Sequence, residues 1–270
     1  MRSIRPTNQP RRAAACRARD GMDQRSVYHS KHLRRAAAFL LLICLLLPAA
    51  GSARAKGDDA AGDLTGLCTV LLPERSAALA ARLTDGRYNS RISFKKEEML
   101  ELALADGAKG LYVAWYEAPS AARIEALDSA GALLETTVAN SDLLNEYFAI
   151  PQNCVRVRIY GEKGFAVSEL RVFDTETPPE ELCVMAAQQP QPKVMVILAY
   201  PSDESYYFSS LLPYLSGEDA ALVFLSGENR QAQQEAIEAR YSLGSRTQPI
   251  FGNFAYYPSA IELKKLYSYI

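Results

Sequence analysis

The apolar pattern of this chain changes period once, near residue 190, and that change limits the possible folds more than any other feature. Between about 67 and 174 the apolar residues come in short stretches, at 99–104, 110–116, 122–128, 133–138, 146–150, 154–160 and 166–173. In the sixth stretch Val155, Val157 and Ile159 alternate with Arg156, Arg158 and Tyr160. This is the period of two expected of a strand with one buried and one wet face. Asp106-Gly107, Ala130-Gly131 and the stretch from Gly161 to Gly164 supply turn residues between stretches. Many short strands with little helix predict an antiparallel β-sandwich. Within it Trp115 shares strand parity with Leu111 and Val113, which predicts a core position.

After residue 193 the stretches are unbroken. Residues 193–199 and 220–225 (AALVFL) read as parallel strands buried on both faces. Helical composition over 204–215 and 230–243, the latter ending at Gly244, alternates with them. A third strand at 248–251 and a third helix at 259–269 complete the pattern of a partial Rossmann-like α/β layer. Three strands make a thin sheet, so the sequence predicts a domain cut off before its end. Residues 175–192, proline-rich and polar at both ends, read as a linker. The predicted organisation is a leader at 1–55, a disordered spacer at 56–66, a sandwich at 67–174, a linker at 175–192 and an α/β segment at 193–270.

The leader carries the 12-residue apolar run 36–47 behind Arg34 and Arg35, then Pro48 and the small-residue pattern Ala53-Arg54-Ala55. A basic start, a short apolar centre and an A-x-A site predict a secretory signal peptide, with Met22 a plausible start. The run is short for a membrane span, so no stable span is expected after cleavage. Of the 30 basic and 31 acidic residues the leader holds 11 and 2, leaving 19 and 29 and a net charge of −10. An acidic exported chain is a poor candidate for binding nucleic acid. Both histidines, His29 and His32, lie in the leader. Cys68, Cys154 and Cys183 remain after it, without metal-ligand spacing.

Two family resemblances follow from short motifs. Leu83-Thr-Asp85-Gly86-Arg-Tyr-Asn-Ser90-Arg-Ile92, with Val155–Gly161 and Val167–Phe173, resembles the D-G loop and closing strands of discoidin and galactose-binding-like jelly-roll modules. The resemblance implies a carbohydrate-binding module with a structural Ca²⁺ held by Asp85, Ser90 and Glu169, whose hard oxygens suit that ion. Ile92 stands where the family has Trp, and Arg87 replaces a common Asn. Asp85-Gly86 reads equally as a tight turn and Glu169 as an edge charge. Tyr88 and Arg91, on the loop, are the candidate ligand contacts. Discoidin-like modules often tie their ends, which implies a Cys68–Cys183 bridge and leaves Cys154 a buried thiol.

Ala199-Tyr200-Pro201-Ser202-Asp203-Glu204, with Leu225-Ser-Gly227-Glu-Asn-Arg230 and the helix at 235–244, resembles the PIG-L/LmbE-like N-acetylglucosaminyl deacetylases. The resemblance implies a zinc hydrolase, but Tyr200 replaces the motif histidine and Ser202 the general base. Asp203 alone keeps a zinc-ligand position, with Glu204 and Glu228 as neighbours, and Ala232 stands where the family often has a substrate-binding Arg. Ser202-Asp203-Glu204 also reads as a helix start. Zinc is therefore not expected, because catalytic zinc needs three protein ligands. The sequence predicts an exported, deacetylase-like protein impaired as written, with a glycan partner. The alternatives are a purely glycan-binding or adhesion protein, or an active deacetylase completed beyond residue 270.

Overall fold

The computed structural model describes residues 62–72, 75–189, 191–201, 203, 220–227 and 229–254. The predicted leader, the helices at 204–215 and 259–269, and Ser202, Glu204 and Glu228 lie outside these residues.

Two antiparallel sheets form the first layer pair. The five-stranded sheet runs in the order β1 (Thr69–Leu71), β3 (Met99–Ala103), β8 (Arg156–Gly161), β5 (Ala122–Leu127), β6 (Leu133–Val138). The four-stranded sheet runs β2 (Ile92–Phe94), β9 (Phe165–Phe173), β4 (Gly110–Trp115), β7 (Asn145–Ala149). A short helix α1 (Ala77–Ala80) lies between β1 and β2. The seven predicted strands fall within a residue or two of their sequence positions; β1 and β2 were missed because three residues give too little of a period to detect.

The inner faces meet in one core. Leu100, Leu102, Ile124, Val157 and Ile159 of one sheet pack against Leu111, Val113, Trp115, Val167, Leu170 and Val172 of the other. Trp115 is fully buried, with its ring edge-on to Phe165 and its indole N–H donated to Glu146 at 2.7 Å. On the other face of the five-stranded sheet Glu101 receives Arg156 and Arg158, each at 3.3 Å, and Tyr160 donates to Glu125 at 2.9 Å. That charged ladder is what the alternation in β8 encodes.

The four-stranded sheet is buried on both faces. Tyr112, Ala114 and Phe173 point away from the sandwich core into a second cluster, where Tyr88 and Leu182 cover them. Leu182 belongs to the segment read as a linker. That segment packs closely: Leu182 and Met185 are buried, and Ala186 forms a parallel bridge with Thr247. Its apolar Leu182-Cys-Val-Met185 centre outweighs its polar flanks. Residues 62–66 of the predicted spacer pack on the sandwich: Asp63 pairs with Arg171 and the Leu64 N–H donates to the Val172 carbonyl.

The parallel sheet is β10 (Val194–Leu198), β11 (Ala220–Phe224), β12 (Ile250–Phe251), with helix α2 (Arg230–Ser242) between the last two. β11 is buried throughout, as expected. β10 is not: Val194 is 45% and Met195 48% exposed, and among the described residues this strand is at the edge of the sheet. Helix α2 begins at Asn229, whose side chain accepts from the Ala232 N–H. It ends at Gly244 (φ +88°), where Ser245 N–H reaches Arg240 O and Gly244 N–H reaches Tyr241 O. This is a Schellman motif, and only glycine adopts that φ without strain.

No disulfide forms among the described cysteines, correcting the expected Cys68–Cys183 bridge. Cys68 packs on the sandwich core and Cys183 beside Leu144, Met185 and Ile237, so the fold sends them to different clusters.

Candidate functional site

Three places in the fold bear on function, and the first two hold residues that the sequence singles out. The first is the D-G loop. Asp85 accepts from the Arg87 N–H at 2.9 Å and from the Ser90 hydroxyl at 3.0 Å, and Glu169, buried on β9, accepts from the Gly86 N–H at 3.1 Å. Asp85 and Ser90 thus share the loop, and Glu169 reaches it from β9 through the Gly86 N–H. Among the described residues no group of three or more His, Cys, Asp or Glu side chains gathers.

Tyr88 is 7% exposed, and its hydroxyl lies 3.4 Å from that of Tyr112. Burial, then the neighbouring Tyr88, pushes the Tyr112 phenol well above its ordinary range. The Tyr88 ring also faces the Arg230 guanidinium at 5.2 Å, so this residue packs rather than facing solvent. Arg91 is exposed and stacks on the Tyr116 ring at 4.5 Å.

The second place is the seat of helix α2 on the sandwich. Arg230, 1% exposed, donates to the Trp115 carbonyl at 2.8 Å, to Gln234 at 3.2 Å, to Asn145 and to the Leu144 carbonyl. These acceptors are main-chain carbonyls and side-chain amides, and burial lowers the Arg230 pKa. Asn145 donates to Gln234 at 2.9 Å, and Gln234 donates to Glu238 at 3.0 Å. Gln248 accepts from the Leu144 N–H and donates to the Asp142 carbonyl. Asn89 of the D-G loop accepts from the Gln231 N–H, capping α2 from a distant part of the chain. In the sequence Arg230 is near the position of a family substrate contact; in the fold it anchors the helix.

The third place is a cleft of about 790 Å³ beside this seat. Its walls include Tyr116, Ser141, Asp142, Gln188, Gln233 and Asn253. Among the described residues, Gln188 Nε2 and Gln233 Oε1 are buried without a hydrogen-bond partner. A Cβ at Gly227 would collide with the Gln233 amide, so that glycine sets the amide's position. Sequence reasoning missed this cleft, because its residues are scattered from 116 to 253 and none stands out alone.

Among the described residues, those of the deacetylase-like motif form no comparable centre. Asp203 accepts from the Tyr200 N–H at 3.0 Å and its own N–H bonds the Tyr200 carbonyl, so the carboxylate closes its own turn. With a phenol in place of imidazole beside it, this donor set does not fit zinc.

No family model matches the chain and no curated protein matches it, so the deacetylase resemblance finds no support there. Solved carbohydrate-binding modules overlap about two fifths of it. One is the Clostridium perfringens module CpGH89CBM32-6, with TM-score 0.32 and 13% identity over 39% of this chain and 92% of that one. A Streptococcus pneumoniae fucose-binding module gives TM-score 0.31 and 11% identity over 40% and 90%. Chitosan-binding module 1 of a Paenibacillus sp. IK-5 chitosanase/glucanase gives 0.29 and 16% over 39% and 92%.

Proposed function

We propose that this chain is an exported glycan-binding protein whose ligand lies in the cleft beside helix α2. The observation that carries this reading is the make-up of the cleft wall. The Tyr116 ring stands among the hydroxyl, carboxylate and amide groups of Ser141, Asp142, Gln188 and Gln233. An aromatic face stacks on the C–H face of a sugar ring, and side-chain amides and carboxylates pair with neighbouring hydroxyls. Zinc-dependent deacetylation is not part of the reading, because Asp203 closes a turn and Tyr200 stands in place of the zinc-binding imidazole.

Two further elements belong to the same proposal. The D-G loop takes a structural Ca²⁺ through Asp85 and Ser90, with Glu169 of β9 as the third hard-oxygen side chain. The parallel strands open a Rossmann-like layer that serves as scaffold for the cleft. Export follows from the leader: the exported chain should begin near Lys56, and an N-terminal sequence retaining residues 36–47 would refute it.

A glycan array followed by calorimetric titration tests binding. Tyr116→Ala should weaken the best ligand about tenfold, the value of a lost stacking face, with an unchanged melting curve. Full binding by this variant would remove the cleft from the reading. For calcium, the chelator-treated protein should melt lower than the calcium-loaded one. A melting point indifferent to both chelator and Asp85→Ala would remove the ion.

A further inference from the structure

We propose that the cleft selects saccharides bearing free amines and rejects those bearing carboxylates, a claim that rests on the glycan-binding reading and adds the ligand's charge. The described walls carry two carboxylates, Glu117 and Asp142, and no Lys, Arg or His. Both carboxylates are exposed at the mouth rather than tied up inside. The Asp142 main chain is fixed instead: its carbonyl accepts from Gln248 and its N–H donates to the Asn140 side chain. That leaves the carboxylate on a rigid turn at the rim.

Two nearby cations are already engaged without lining the cleft. The Arg91 guanidinium carbon sits 4.5 Å from the centre of the Tyr116 ring, and Arg230 donates to carbonyls and amides at the seat of helix α2. Deeper in, the polar groups are neutral: the amides of Gln188, Gln233 and Gln248. A sugar's hydroxyls pair with those amides whatever its charge. The substituent at the mouth then meets two negative charges, and a protonated amine gains where a uronate is repelled.

The experiment is titration of the intact exported protein with three β-1,4- or α-1,4-linked tetrasaccharides: a neutral glucan, a glucosamine oligomer and a galacturonate oligomer. At low salt the glucosamine oligomer should bind about five- to tenfold tighter than the neutral one, and the galacturonate oligomer at least as much weaker. The spread should shrink in 0.5 M salt, since a charge pair at a cleft mouth is screened. The double variant Glu117→Gln with Asp142→Asn should lose the preference, binding the glucosamine and galacturonate oligomers within about twofold of each other. Equal or tighter binding of the galacturonate oligomer, or a preference that survives in the double variant, overturns the charge selection and leaves the glycan reading standing. Failure of all three to bind overturns the glycan reading itself, and this selection with it.

Discussion

Single residues here titrate in opposite directions. Half-burial pushes the Asp63 carboxyl up, but the Thr65 hydroxyl, the Arg171 guanidinium and the Thr65 N–H together outweigh it and leave it below 3.8. Its stabilisation is therefore present above about pH 3.8 and is lost as pH falls through the lower folded value. Asp63→Asn should cost about 1–2 kcal/mol at pH 7, and denaturant midpoints of the two proteins should converge in strong acid. Glu146 behaves the other way. Burial raises it above 4.5, against the opposing pull of the Asn140 N–H and the Trp115 indole N–H. With a raised folded value, its contribution is full in acid and is lost as pH rises through that value. The sole tryptophan reports on it directly: the Trp115 Nε1–H resonance should titrate with a midpoint above 4.5. A midpoint below would contradict this burial.

At the scale of elements, helix α2 is held by devices from two parts of the chain. Asn229 satisfies the Ala232 N–H from within, and Asn89 satisfies the Gln231 N–H from the D-G loop. Asn89→Ala should cost about 1 kcal/mol, the usual value of a lost helix cap, measured by chemical denaturation. Gly227→Ala should instead report on the cleft. Its Cβ meets the end of a flexible side chain, Gln233, so the fold can relax while the amide moves out of place. If the proposed glycan site is right, this variant lowers glycan affinity severalfold with little change in melting temperature.

For the molecule as a whole, residues 59–270 form one compact unit, and a buried polar network ties the parallel segment to the sandwich. Heating should therefore give one calorimetric transition for this unit. Arg230→Met would leave the Asn145 and Gln234 amides and the Trp115 carbonyl short of a donor, at a cost of about 3 kcal/mol. It should also separate the melting of the parallel segment from that of the sandwich. A single transition unshifted from the parent would show that this network contributes little.

The sequence by itself determined the elements. Strands such as Arg156–Gly161 and the helix Arg230–Ser242 follow from local period, turn residues and end signals, which act within a few residues. It also placed Trp115 in the core, where it is fully buried. Only the tertiary structure decided what those elements face. Tyr88 became part of a buried cluster, Arg230 an anchor in a cage of neutral acceptors, and a segment read as a linker a cover for Tyr112 and Phe173. The cleft arose from Tyr116, Asp142, Gln188 and Gln233. The physical reason is sequence distance: burial and hydrogen-bond partners are set by contacts more than 80 residues apart, such as Asn145 with Gln234 and Trp115 with Arg230, and no local pattern encodes which distant surface will close over a side chain.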